Sequence, residues 1–528
     1  MSTISVNQSM ASQNGHPPSL FILFFTEMWE RFSYYGMRAL LVLFLTSSIM
    51  DGGWAWDRKE ALQLYGIYTG LVYLTPIFGG LIADKVLGYR KAVIFGALIM
   101  TIGHASMAMD TPSFFYIGLT CLIIGNGLFK PNISSIVGQL YTDKPEKKDA
   151  AYTIFYMGIN AGAFLGILLC GYIGEKVSWS YGFGLAGVFM FLGLLQFSFA
   201  QKIFGAIGLA PKKKTEGGIE PNAANYSNNN AFEEPVRNAQ PAIPANVNRD
   251  RIIVISVLAF FTIFFWWAFE QAGGSMTIFA GDYTSRALSG ESATLFKWAN
   301  TLLTVIPMII LTIVLTNLFR KTFKDYALSN IFLGSSFVII WGIVIWMLVR
   351  EFKSDATEVP ASWFGILNSF FIIAFAPLFS KMWESRYNPS GPVKFAIGLI
   401  LLGLGFAILA YGGKDIPQGA KTASVSMVWL ILAYLFHTLG ELCVSPVGLS
   451  YVSKLAPVKL VGLMFGIWFI ANFIANYTAG LTGSFIDDIT TKYSISTFFL
   501  IFTFVPIAAG LVMLGLNKTL KKKMHGIE

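Results

Sequence analysis

Of the chain's 528 residues, 55% are hydrophobic and only 13% are charged, about half the charge fraction of an ordinary soluble domain. This excludes a soluble globular protein. The net charge of +9 comes from basic residues in short loops between apolar runs, a topology signal rather than a nucleic-acid footprint, and Cys121, Cys170 and Cys443 all lie in apolar segments, which argues against a disulfide framework.

The N-terminal residues 1–19 are polar and lack a basic n-region with a cleavage site, so they read as a cytoplasmic tail and not as a cleaved signal peptide. The first predicted span, 20–47, is apolar and aromatic apart from Glu27, Glu30, Arg31 and Arg38. A charge at mid-membrane depth costs about 2.5–3.5 kcal/mol on insertion scales, so four on one helix must face partner charges or a water-filled cavity. Glu27, Arg31, Tyr34 and Arg38 step by four, three and four, which places them on one helical stripe, with Glu30 beside it. Further spans are expected at 61–83, 91–109, 113–137, 151–174 and 180–202. The polar stretch 203–250 carries Lys212, Lys213 and Lys214, an Asn228–Asn230 run and several prolines, and reads as a cytoplasmic linker. Eight more spans follow at about 251–280, 295–319, 328–350, 361–383, 394–412, 427–452, 460–483 and 494–516, and 517–528 reads as a basic cytoplasmic tail. About fourteen spans result, by the twenty-residue apolar criterion.

Loop charges support this count. With the N-terminus inside, the inside loops hold Lys85, Arg90 and Lys91, then Lys144, Lys147 and Lys148, then the linker lysines. Later inside loops hold Arg320, Lys321 and Lys324, then Arg386, then Lys454 and Lys459. The outside loops are poorer in Lys and Arg. An even number of spans puts both termini in the cytoplasm of an inner (plasma) membrane protein. Two helix sets joined by a polar linker suggest two bundles that rock about a central site.

Several motifs sharpen the reading. The first inside loop, Gly79 to Lys91, contains Gly80, Asp84, Gly88, Arg90 and Lys91 and resembles the loop between the second and third helices of the major facilitator superfamily. Glu27-Met28-Trp29-Glu30-Arg31-Phe32 resembles the ExxERF signature of the proton-dependent oligopeptide transporter family. Gly127-Leu128-Phe129-Lys130-Pro131-Asn132 resembles its FKPN segment, and Phe155-Tyr156-Met157-Gly158-Ile159-Asn160-Ala161-Gly162 its FYxxINxG segment. Phe269-Glu270-Gln271 with Gly273-Gly274, and Gly440-Glu441 with Ser445-Pro446, extend the match over nearly the whole chain.

The resemblance implies an all-α polytopic membrane protein with two six-helix bundles, 20–202 and 251–516, and an extra helix pair. Many bacterial members carry that pair between the bundles. Here the linker has no apolar span, and the pair is expected at about 295–350, within the C-terminal bundle. Animal members have a histidine in the second helix, seven residues before a tyrosine. Counted from Tyr73, that position is Gly66, so a histidine proton step does not carry over.

The resemblance also implies a proton-coupled symporter of di- and tripeptides working by alternating access, without a cofactor or metal; a same-fold symporter for nitrate or a peptide-like compound is the alternative. Glu27, Glu30, Arg31 and Glu270 are the candidates for proton coupling, with a pair between Glu270 and Arg38 across the two halves and coupling of the ExxERF charges to Lys130. A short peptide is a zwitterion. Its carboxylate suits Arg38 and Lys130, and its ammonium suits Glu441, Asn160 and Asn368. Tyr34, Tyr35 and Tyr73 can hydrogen-bond its backbone, Ser445 lies in the same motif as Glu441, and Trp266, Trp267 and Trp468 are candidates for side-chain pockets. His437 and His104 read as helix-packing residues. No catalytic triad, zinc spacing or phosphate-binding glycine loop points to an enzyme. A channel would favour like-charged or polar rings over opposed Glu and Arg.

Overall fold

The computed structural model describes residues 15–210, 244–457 and 460–527. The lysine and asparagine runs of the linker, and Lys459, lie outside the described residues. Among the described residues, fourteen helices have nineteen or more residues: α1 (Pro18–Thr46), α2 (Arg58–Ile82), α3 (Tyr89–Met107), α4 (Pro112–Leu140), α5 (Lys148–Lys176), α6 (Trp179–Phe199), α7 (Ala245–Phe269), α9 (Gly290–Thr322), α10 (Ala327–Lys353), α11 (Ile366–Glu384), α12 (Gly391–Gly412), α13 (Val428–Leu455), α14 (Val461–Gly483) and α16 (Ile495–Lys523). Two short helices, α8 (Ser275–Ile278) and α15 (Ile486–Lys492), complete the set. Twelve of the long helices are apolar enough to cross a membrane. The other two carry charges, four in α1 and Arg90 and Lys91 in α3.

Three expected boundaries need correction. Pro18 starts α1 inside the expected tail, since proline suits a first helical turn. The helix α7 begins at Ala245, before the expected end of the linker. And α16 continues to Lys523, because lysines in a last turn complement the helix dipole and extend the helix beyond its apolar part.

Contacts divide the chain into two units. One comprises Met1–Met37, Phe78–Glu216 and Ala287–Val359, the other Arg38–Ile77, Gly217–Arg286 and Pro360–Glu528. The extra helix pair, α9 and α10, therefore groups with the N-terminal helices, not with the C-terminal bundle as expected. Aromatic packing and polar contacts decide this. Phe337 of α10 meets the rings of Phe25 and Trp29 edge-on at 5.7 and 5.8 Å, Phe332 stacks on Phe199, Ser329 donates to the Gln196 carbonyl at 2.8 Å, and Tyr172 donates to Glu351 at 2.7 Å.

Small residues set the helix separations in the first unit. Gly158, Gly162 and Gly166 of α5 press against the α1 backbone at Phe24, Met28 and Phe32. At Gly162 an added Cβ would lie 2.2 Å from the Met28 carbonyl oxygen. Direct contact with α5 is what holds the charged stripe of α1 in place.

In the second unit, α2 and α14 touch through Gly66 and Gly480. A Cβ on Gly66 would sit 2.8 Å from the Gly480 Cα and 2.9 Å from the Tyr477 oxygen. No histidine fits at this position while α2 and α14 stay this close. Gly66→Val should therefore lower the thermal unfolding midpoint and reduce transport, since overpacking of this kind costs about 1–3 kcal/mol. Unchanged melting of the purified variant would show that the two helices can separate freely. At one end of α2, Arg58 gathers three other segments of the same unit. It donates to Asp282 (2.6 Å), Asp487 (2.8 Å), the Tyr283 hydroxyl (3.2 Å) and the Lys421 carbonyl (2.9 Å).

Candidate functional site

In the first unit, Glu27, Glu30 and Arg31 are almost wholly buried. Arg31 Nε donates to Glu27 at 2.8 Å and forms an ion pair with Glu30 at 2.6 Å. Asn126 donates to the other Glu30 oxygen at 2.9 Å, and Lys130, one turn further along α4, lies within electrostatic reach of Glu30. With Lys130 the group has two carboxylates and two cations. Tyr34 places its ring under the Arg31 guanidinium, 5.7 Å from centroid to carbon, and meets Tyr35 edge-on. Removing one partner from such a buried network strands a charge, at about 3–5 kcal/mol. Lys130→Ala should therefore impair transport while the protein still inserts in the membrane; wild-type uptake by this variant, at equal membrane abundance, would remove Lys130 from the network's function.

The second unit holds the other charged groups. The helix α7 ends at Glu270, where a 3-10 turn over Glu270–Gly273 breaks it. Gln271 holds the break by donating to the Ala479 carbonyl (2.9 Å) and accepting from Ser275 (2.6 Å), and Tyr434 donates to the Ala272 carbonyl (3.2 Å). Glu270 is buried and forms a short ion pair with Arg38. The Tyr65 hydroxyl lies between them. It accepts from Arg38 Nε at 2.9 Å and Nη2 at 2.6 Å, and donates to Glu270 at 3.4 Å. A Cβ at Gly273 would lie 2.1 Å from that hydroxyl, so glycine is what lets Tyr65 approach the break. The expected pair between Arg38 and Glu270 is thus present, but both residues belong to one contact unit.

Glu441 on α13 is bound by a neutral donor. Asn368 of α11 donates to it at 2.8 Å and lies 3.2 Å from the Thr438 hydroxyl. Glu441 also lies close enough to Glu270 to feel its charge. Arg38, Glu270, Asn368 and Glu441 therefore bring a cation, two carboxylates and an amide into one unit. Ser445 lies one turn beyond Glu441 and is half-buried, as is Tyr73 on α2.

Other candidates are placed differently. Asn160 donates to its own helix, at the Tyr156 carbonyl (3.1 Å). Trp267 is buried, donates to Thr482 at 2.8 Å and packs 4.7 Å from the Phe502 ring. Trp468 is buried against Gly448. These two tryptophans serve helix packing. Trp266, one residue and about 100° around the helix from Trp267, stays half-exposed between Phe265 and Phe269. His437 lies 4.4 Å from the Phe406 ring and against Gly405, a packing position as expected. Unlike a satisfied histidine, it has no hydrogen-bond partner on either ring nitrogen among the described residues.

Sequence reasoning missed Tyr65, Asn126 and Thr438. For Asn126 and Thr438 the available signal was spacing: each is a polar residue three or four positions before a candidate, Lys130 or Glu441. Tyr65 carried no such signal, since its role depends on the break in α7.

Membrane-length helices, a charged stripe on α1 and opposed Glu and Arg groups inside the helix packing define a polytopic membrane transporter of the major facilitator type. The sequence profile of the POT family matches residues 90–216 and 334–501. A peptide transporter of Yersinia enterocolitica is 32% identical over 518 residues, covering 89% of this chain and 88% of that protein. A di-/tripeptide transporter of Lactococcus lactis subsp. cremoris is 29% identical over 536 residues, covering 99% of each. A crystal structure of the peptide transporter POT in complex with sulfate superposes with a TM-score of 0.74 at 28% identity, covering 98% of both chains. The chain belongs to the POT family, the proton-dependent oligopeptide transporters.

Proposed function

We propose that this protein is a symporter that carries di- and tripeptides together with protons into the cell by alternating access. The observation that carries this reading is the arrangement in the second unit: Arg38 held by Glu270 and Tyr65, with Glu441 held by Asn368. One proton on Glu270 cancels the charge that holds Arg38, and the guanidinium is then available to a peptide carboxylate. Glu441, bound by the neutral amide of Asn368, accepts the peptide ammonium. The Glu27, Glu30 and Arg31 network with Lys130 supplies a second set of protonatable carboxylates. The peptide and di-/tripeptide transporters with which this chain aligns almost end to end support the substrate class. The distribution of loop lysines and arginines supports an orientation with both termini in the cytoplasm of the plasma membrane.

Purified protein in liposomes tests the proposal. With an inward proton gradient, labelled dialanine should accumulate above its outside concentration, and a protonophore should collapse the accumulation. Simple equilibration, insensitive to the gradient, would overturn symport. Competition by nitrate but not by peptides would transfer the site to the alternative solute.

A further inference from the structure

The second unit has a cavity that takes no part in the Arg38 and Glu441 groups. It holds about 590 Å³ between α11, the connection after it, α12 and α13. Its wall is mostly apolar: Phe379, Met382 and Trp383 from α11, Ile397 and Leu401 from α12, and Cys443 from α13. Cations surround one end. Lys394, in the first turn of α12, lies 4.4 Å from the Trp383 ring centroid, and no carboxylate pairs with it among the described residues. Arg386, also on the wall, is exposed and bonds only the Tyr387 hydroxyl and ring in the described contacts. Lys454 lies within electrostatic reach of Lys394. The nearby carboxylate of Glu384 is turned to Ser380.

We infer that this groove binds one anionic phospholipid, with the phosphate between Lys394 and Arg386 and an acyl chain along Phe379, Ile397 and Leu401. Three observations select this occupant. The lining is apolar where a peptide backbone would need hydrogen-bond partners. The half-buried ammonium of Lys394 is left with a ring and no counter-ion, and a long basic side chain near a helix end normally reaches toward the headgroup layer. A zwitterionic lipid would set its own ammonium against Lys394 and Arg386, whereas phosphatidylglycerol brings only the phosphate. The lipid would fill the space between the lower part of α11, which carries Asn368 at its start, and α13, which carries Glu441.

The test is lipid retention, which does not depend on what the protein transports. The whole protein is reconstituted in nanodiscs of equal phosphatidylglycerol and phosphatidylcholine, extracted in mild detergent and analysed by native mass spectrometry. Wild type should keep one phosphatidylglycerol per chain and little phosphatidylcholine. Lys394→Gln with Arg386→Gln should lower the retained phosphatidylglycerol at least tenfold. Leu401→Trp, which fills the apolar part and leaves both cations, should do the same. Lys521→Gln with Lys522→Gln, at the C-terminal end of α16 beside the start of α12, should lower it far less. Thermal unfolding identifies any variant that fails to fold, and the remaining variants decide the question. Unchanged retention in the Lys394 and Arg386 variant, equal retention of the two lipids, or an equal loss in the α16 variant would each overturn the site, the last by reducing it to a diffuse basic surface.

Discussion

Glu270→Gln should abolish proton-driven accumulation of dialanine while leaving peptide exchange in place. Glutamine keeps the size and one hydrogen-bonding oxygen but carries no charge at any pH, so it imitates the protonated glutamate permanently. Arg38 then loses its ion pair with Glu270 and keeps the Tyr65 hydroxyl as acceptor. The peptide carboxylate can still reach the guanidinium, so labelled peptide inside liposomes should exchange with unlabelled peptide outside. What fails is the step in which a proton leaves and Arg38 returns to its pair. Full gradient-driven accumulation by the variant would take Glu270 out of the coupling. Tyr65→Phe provides the graded companion. It removes a neutral hydroxyl worth about 0.5–1.5 kcal/mol and leaves the ion pair, so uptake should slow by about tenfold or less and remain gradient-dependent. A Tyr65→Phe protein as inactive as Glu270→Gln would make the hydroxyl, and not the charge, the essential element.

N-acetylated dialanine and C-amidated dialanine should both compete poorly with free dialanine for uptake. Acetylation removes the ammonium intended for Glu441 and Asn368; amidation removes the carboxylate intended for Arg38. In either case the peptide enters and leaves a protein charge without its partner. Stranding a buried charge costs about 3–5 kcal/mol, which is about two to three and a half decades in affinity. Long peptides should fail for a geometric reason, since their ends cannot reach both groups at once. The measurement is inhibition of labelled dialanine uptake at a saturating proton gradient. Equal competition by both blocked forms would refute the two-ended clamp and point to a substrate other than a peptide.

Much of the architecture can be read along the chain because lipid leaves few choices. A bilayer demands apolar runs of about twenty residues whose backbone groups bond within the run, so fourteen helices and their approximate limits are local properties. The charges of α1 are conspicuous for the same reason: in an apolar run each one is costly. Helical spacing alone puts Glu27 and Arg31 within bonding distance, and the structure has them at 2.8 Å.

The partners of those charges are another matter. Arg38 and Glu270 are 232 residues apart in the chain, Asn368 and Glu441 73, Asn126 and Glu30 96. No helical period reports such distances, and only family motifs suggested the first of them. The sequence located the extra pair, expected at about 295–350 and found as α9 and α10, but not the bundle it joins. Position in the chain assigned α9 and α10 to the C-terminal bundle, whereas ring packing on Trp29, Phe25 and Phe199 assigns them to the N-terminal helices. Two adjacent tryptophans look equivalent in sequence, yet Trp267 is packed in and Trp266 half-exposed, because neighbours on a helix face different ways. The sequence by itself determined which segments cross the membrane and which residues are too costly to be idle there. The tertiary structure decided which side chains meet, because contact between helices depends on close approaches such as Gly66 to Gly480 and on the break in α7 at Glu270, neither of which has a local signature strong enough to specify its partner.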